Sequence, residues 1–329
     1  MPLDLVVDHL RARYGMGGTV SCLPGEHDDN FLVDSAGERS VLRVVARDQE
    51  EERDRFVLAL LRALEGSAIA CPALVPATDG AIDLLMRDGA GHERRSWVTT
   101  FVHGTPWSEL LDRPGAAAVV GRGLAHLDQC LAEAPAPSSS GRTPWDLTRP
   151  DGALTLIDQV PLGSDDGRIR ASLLELQDTV LPALHDLPRQ PIHNDANPDN
   201  VLLQIGGGVG FIDFGDAVWA PRIVELAVTG SYLADIGDPS SPDSALASLI
   251  HGYGSVVALR PDELRVLPGL MRGRLALALG NALARAHYRP ERAEYVLRHA
   301  DRARRRMDAL GALNEDHALM AWRSTGVKT

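Results

Sequence analysis

Residues 191–216, PIHNDANPDNVLLQIGGGVGFIDFGD, constrain this chain more tightly than any other stretch. His193, Asp195 and Asn200 form an H-x-D-x-x-x-x-N run. It leads into an apolar strand, VLL, a glycine turn, a second strand, GFI, and then Asp213-Phe214-Gly215. Two short strands joined by a glycine turn read as a hairpin, and the groups flanking them share one edge of it. An amide oxygen and carboxylates are thereby expected in one place.

That set has a physical use. In phosphoryl transfer a carboxylate accepts or orients the proton of the attacking hydroxyl, while an amide oxygen and a second carboxylate hold magnesium against the phosphates. Magnesium takes oxygen ligands, keeps several waters and asks for few protein ligands. Asp195 is thus the candidate catalytic base, and Asn200 and Asp213 are the candidate Mg2+ ligands. Plainer readings stand beside these. Asp195 lies in NDANPDN, a run of turn formers; Asp199 reads as a turn residue; His193 reads as a side chain that packs or hydrogen-bonds the backbone. For Asp213 the plain reading is poor, because an acid directly after GFI ends a buried strand badly unless it faces a site. WAPRIVELAV follows closely and is expected to be helical, which leaves no room for the long activation segment of a peptide-phosphorylating kinase. The acceptor is therefore expected to be small.

The rest of the chain supplies a two-lobed setting. Over residues 19–45 the clusters FLV and SVLRVV are separated by GEHDDN and DSAGE, predicting strand, turn, strand, turn, strand. Residues 50–64 change period: Phe56, Leu60 and Leu64, with Leu61 beside them, form the stripe of an amphipathic helix. SWVTTFV reads as a further strand that ends at His103-Gly104-Thr105-Pro106. The boundary is placed there, with 1–103 as a nucleotide-binding lobe and 104–329 as a catalytic and substrate-binding lobe that is mainly helical. Near the C-terminus Val296, Ala300, Ala303, Met307 and Leu310 keep helical spacing.

Composition narrows the partners. At 329 residues and 44% hydrophobic, the chain can bury a substantial core. A net charge of -12 argues against nucleic acid and favours a cationic small molecule. Cys22, Cys71 and Cys130 lie far apart with no zinc-like spacing, the N-terminal residues lack the apolar stretch of a signal peptide, and no long uncharged apolar run occurs. A cytoplasmic protein with no membrane partner is expected. Lys328 is the only lysine, so the basic residues are otherwise arginine.

The segments LPGEHDDNFLV, SVLRVV, TTFVHGTPW, PWDLTRP, IHNDANPDNVLL and FIDFGDAVWAPRIVELAVTGSYLA resemble the aminoglycoside-phosphotransferase and choline-kinase superfamily, and within it the hydroxylysine kinase-like branch. The resemblance implies an α+β, protein kinase-like bilobal fold. A small antiparallel-sheet lobe with one main helix would sit beside a larger helical lobe. It also implies ATP or GTP as donor and a hydroxyl on an amine-bearing metabolite as acceptor. Carried over, Asp195 matches the base, and Asn200 and Asp213 match the metal ligands. Thr100 and Val102 fall where the hinge backbone meets the purine, and residues 25–30 match the phosphate-covering turn. Glu52 aligns with the acid that pairs with the strand lysine, and Arg43 occupies that lysine's place. Arginine keeps the charge but brings a planar fork instead of a compact ammonium. Asn194 stands where many relatives have glycine. Asp216, Glu225, Asp235 and Asp238 are candidates for binding a substrate ammonium. Three readings follow: a kinase of an amino-alcohol metabolite, an aminoglycoside-modifying resistance enzyme, and a nucleotide-binding pseudokinase, the last prompted by Arg43.

Overall fold

A computed structural model describes residues 1–23, 28–47, 49–137 and 143–323. Residues 25–27 of the turn expected over 25–30, and Lys328, lie outside the described residues. The first lobe begins with α1 (Leu3–His9) and continues through β1 (Thr19–Leu23), β2 (Asp29–Ser35) and β3 (Glu38–Val44). After these come α2 (Glu51–Ala63), β4 (Leu74–Val75), β5 (Leu84–Arg87) and β6 (Glu93–Thr100). The strands form one antiparallel sheet in the order β1-β2-β3-β6-β4, with β5 also on β6. Alternation along β3 puts Leu42 and Val44 into the core, so Arg43 between them faces the other way. On α2, Phe56, Leu60, Leu61 and Leu64 are all buried, as the apolar spacing predicts.

The chain crosses into the second lobe at β7 (Thr105–Pro106), followed by α3 (Ala116–Ala132), α4 (Asp151–Ile157), α5 (Asp166–Glu175) and the short α6 (Leu181–Ala183). Next come β8 (Arg189–Ile192), β9 (Val201–Leu203), β10 (Val209–Phe211) and β11 (Val218–Pro221). The lobe is completed by α7 (Ile223–Ser231), α8 (Ala245–Gly254), α9 (Pro261–Tyr288), α10 (Ala293–Leu297), α11 (Ala300–Gly311) and α12 (Glu315–Arg323). The α+β, two-lobed architecture expected from the sequence is present. No helix among the described residues is long and apolar enough to cross a membrane.

Two expectations need correction. WAPRIVELAV is not helical throughout: Val218 to Pro221 pair with Ile192 to Arg189, and the helix starts only at Ile223. Trp219 and Pro221 suit an edge strand, and the missing N–H of Pro221 costs nothing at its end. The C-terminal spacing is also interrupted, because α10 ends at Leu297 and α11 begins at Ala300. Arg298 and His299 form the corner between them.

The long α9 is the axis of the second lobe. Its N-terminus carries a capping box, with Glu263 accepting from the Arg260 N–H at 2.8 Å. Glycines at 269, 273 and 280 let Val180, Leu176 and Ile157 pack directly on its backbone. A helix held this closely from several sides is a rigid mount for the side chains it points inward, among them Arg274, which is 2% exposed.

Candidate active site

A cleft of about 700 Å3 lies between the lobes. The hairpin β9–β10 opens onto it: Val201 pairs with Phe211, and the Ile212 N–H donates to the Asn200 carbonyl at 3.0 Å. This pairing places Asn200 and Asp213 side by side at the hairpin mouth, and both line the cleft with Asp195.

The loop carrying Asp195 is fixed from beneath. His193 is fully buried; its Nε2 donates to the Ile212 carbonyl at 2.9 Å and its Nδ1 accepts the Asp195 N–H at 3.2 Å. Burial holds its pKa below the usual value, so it acts as a neutral brace rather than an acid or base. Asn194 adopts φ 63°, and its Nδ2 donates to the Asp216 carbonyl at 3.0 Å. Glycine takes that conformation readily and, at some cost, asparagine or aspartate does, so Asn194 is among the few residue types that suit this position. Asp213 adopts φ 62° as well, and its Oδ1 accepts the Gly215 N–H at 3.3 Å.

Asp195 is gripped at both oxygens. Oδ1 accepts from Arg274 Nη2 at 2.7 Å, and Oδ2 accepts from Asn197 Nδ2 at 3.0 Å and Asn200 Nδ2 at 2.8 Å. Burial pushes its carboxyl up to about 7; Arg274 pulls the other way, while Asp216 and Asp213 add to the rise. A base poised there suits proton acceptance near neutrality. Asn200 spends its amide nitrogen on Asp195, which leaves Oδ1 as its side-chain acceptor. The Asp213 carboxylate is 60% exposed toward the cleft. One amide oxygen and one open carboxylate fit Mg2+, which binds through few protein ligands. When bound there, the ion would neutralise charge on a nucleotide's phosphates.

Arg43 enters from the sheet. Its Nε donates to Asp28 Oδ2 at 2.6 Å, Nη2 contacts the same oxygen, and Nη1 lies 3.5 Å from Asp213 Oδ1. Burial opposes its charge, but Asp28 and Asp213 outweigh burial and raise its pKa. The expected pairing of this residue with Glu52 does not form: Glu52 is exposed on α2. The face of α2 turned to the cleft carries Arg53, which donates to the Gly215 carbonyl and approaches Asp216 Oδ1 at 3.4 Å. Asp28 thus takes the orienting role assigned to Glu52.

Asp216 lines the cleft, but Thr143 Oγ1 donates to it at 2.6 Å and it belongs to the bracing of the loop. Glu225 is a second correction. It is fully buried, outside the cleft, and accepts the Asn194 N–H at 3.0 Å, with burial raising its pKa to about 7. It supports the catalytic loop from below and cannot meet a substrate. Asp235 is bound to Arg306 at 2.9 Å, and Asp238 caps its own turn through Ser240 at 2.7 Å. Thr100 is committed to the sheet: its N–H donates to the Ala73 carbonyl at 2.8 Å and its Oγ1 accepts from the Ala73 N–H at 3.0 Å. Val102 is buried against Gly210. Both sit where the chain crosses between lobes, outside the lining that Asp195 and Asp213 share.

A family model described as the phosphotransferase enzyme family matches residues 21–268. The chain belongs to this family. Among curated relatives of this phosphotransferase, the homoserine kinase of Gluconacetobacter diazotrophicus is 29% identical over 256 residues, covering 76% of this chain and 75% of that one. The homoserine kinase of Brucella canis is 30% identical over 257 residues, covering 76% and 73%. Among solved structures, a microcompartment-associated aminopropanol kinase superposes with TM-score 0.69 at 19% identity, covering 97% of this chain and 99% of that one. An amicoumacin kinase solved with AMP-PNP and Ca2+ gives 0.74 at 15%, covering 94% and 93%. The phosphotransferase is thus a small-molecule kinase acting on a hydroxyl group.

Sequence reasoning missed Arg274, Arg53 and Asp28. Arg53 had a signal: it lies three, four and seven residues before Phe56, Val57 and Leu60, at the centre of the buried stripe. Arg274 lies far along the chain from Asp195, and no local pattern marks it.

Proposed function

We propose that the chain transfers the γ-phosphoryl group of ATP to a hydroxyl of a small amine-bearing metabolite. The hydroxyl oxygen forms a bond to the γ-phosphorus as the bond to the β–γ bridging oxygen breaks. The hydroxyl proton passes to Asp195, and the bridging oxygen leaves with its electron pair on ADP. Asn200 and Asp213 hold Mg2+, Arg43 meets the phosphates, and Val102 offers its backbone to the purine.

The observation that carries this reading is Asp195 itself. It is a carboxylate at the wall of a cleft, locked by Arg274, Asn197 and Asn200, beside two groups that can hold a metal. Arg43 lies near Asp213 and is steadied by Asp28, which supports an arginine adapted to the phosphates rather than a pseudokinase.

Asp195→Ala is expected to lower turnover by roughly 100-fold or more, with nucleotide affinity nearly unchanged, because the base touches the acceptor and not the donor. Coupled ADP release over a panel of amino alcohols, with ATP and GTP, measures the first. Calorimetric titration with a nonhydrolysable ATP analogue measures the second. Lost nucleotide binding, or undiminished turnover, would contradict the role.

A further inference from the structure

Arginine is concentrated on the helical wall of the cleft, where only Arg274 serves the transfer chemistry, through its grip on Asp195. Arg274 from α9, Arg298 from the corner between α10 and α11, and Arg302 and Arg306 from α11 all line it. The acids that line the cleft, Asp28, Glu50, Asp195, Asp199, Asp213 and Asp216, come from its other elements, and of these only Asp195 pairs with an arginine of this wall. Arg274 is matched by Asp195 at 2.7 Å, whereas Arg302 and Arg306 share one carboxylate, Asp235, at 3.4 and 2.9 Å. Arg298 donates to the Tyr295 carbonyl at 2.7 Å, and its guanidinium lies 3.9 Å from the centre of the Tyr295 ring. Among the described residues no carboxylate lies within ion-pair distance of it.

Another arginine of α11 is treated differently. Arg304 pairs with Asp165 at 2.8 Å and Asp301 at 2.6 Å, away from the cleft. The cleft-lining arginines of α11 thus have fewer carboxylate partners than Arg304, in a protein whose net charge is -12. The phosphates do not need this wall, because Arg43 and the metal ligands Asn200 and Asp213 come from the sheet and the hairpin.

We propose that the acceptor carries a carboxylate, bound by Arg298 and Arg302 while its hydroxyl meets Asp195; this rests on the kinase reading above. A guanidinium presents paired N–H donors at the spacing of the two carboxylate oxygens, and both partners keep their charge at neutral pH. Tyr295 holds the Arg298 head in place before the acceptor arrives. Arg302, tied to Asp235 by a long contact through Nε, keeps its terminal nitrogens for the same group. Asp199, exposed on the same lining, can face the acceptor's ammonium. The substrate class is a hydroxylated amino acid, not a simple amino alcohol.

Matched pairs that differ by the carboxylate test this: homoserine against 3-aminopropan-1-ol, serine against ethanolamine, and hydroxylysine against its decarboxylated amine, each assayed with the full chain, Mg2+ and ATP. The acid member of the best pair is expected to have a kcat/KM higher by roughly tenfold or more. Arg298→Ala should lower kcat/KM for that acid by about 10- to 100-fold through KM, with KM for ATP unchanged, and Arg298→Lys should recover part of the loss. Arg298 is exposed, so both variants are expected to fold. Equal rates within every pair, or a preference for the amines, would overturn the inference and leave the kinase reading standing. A raised KM for ATP in Arg298→Ala would assign the arginine to the donor and also overturn it. Absence of phosphorylation for every compound would remove both.

Discussion

Replacing Asn194 by alanine and by glycine should invert the usual stability order of those two residues, because the backbone there has φ 63°. At ordinary angles alanine is the more stable by about 0.5–1 kcal/mol, since glycine has more freedom to lose on folding. In the left-handed region the alanine Cβ costs roughly 1–2 kcal/mol. Both variants lose the donation from Asn194 Nδ2 to the Asp216 carbonyl at 3.0 Å, about 1 kcal/mol; the 3.4 Å contact with the Trp145 carbonyl adds little. The parent asparagine carries a Cβ too, so the quantity these terms isolate is the difference between the variants, about 0–1.5 kcal/mol in favour of glycine. Differential scanning calorimetry of the two variants beside the parent chain reads the order directly, and the glycine variant should melt at the higher temperature. Alanine melting at or above glycine would refute the claim that the catalytic loop depends on a left-handed residue just before Asp195.

Asp213→Ala should weaken nucleotide binding only in the presence of Mg2+; titration calorimetry with and without the ion checks this, and equal losses in both conditions would remove Asp213 from the metal. Glu225 offers a test by pH. Burial lifts its carboxyl from its ordinary 4.5 to about 7, so the folded chain keeps a proton that the unfolded chain releases. Its contribution is full below about 4.5, is lost as pH rises toward 7, and is flat above that. Glu225→Gln, neutral throughout, should flatten the change in melting temperature between pH 5 and 8, in values of roughly that window; an unaltered slope would show that Glu225 does not titrate there.

The catalytic loop and the hairpin were readable because their information is local. Alternating apolar residues set β9 and β10, a glycine turn joins them, and the polar groups at their ends meet by geometry alone. The partners of those groups were not readable in the same way. Arg274 reaches Asp195 across the packing of α9, and Asp28 reaches Arg43 across the pairing of β2 and β3; both depend on how separate segments come to rest against each other. The Glu52 expectation failed by one helical position: the acidic run EEERDR hides the phase, whereas the apolar residues after it point to Arg53. Glu225 misled because an acid just past a metal motif looks solvent-facing, yet α7 is buried along its whole length and turns that acid under the loop.

Arg53 also bears on how the enzyme could move. The buried side of α2 shares its core with the helical lobe, while the far side of the sheet has a separate core around Val6, Leu42 and Val98. Through the Arg53 guanidinium on the Gly215 carbonyl, α2 is tied to the loop that carries Asp213, although the chain places it in the other half. Leu74 and Trp97 of the sheet lie in that same core, so parting the lobes has to separate packed apolar side chains and the Arg53 contact and not only bend the crossing near Gly104.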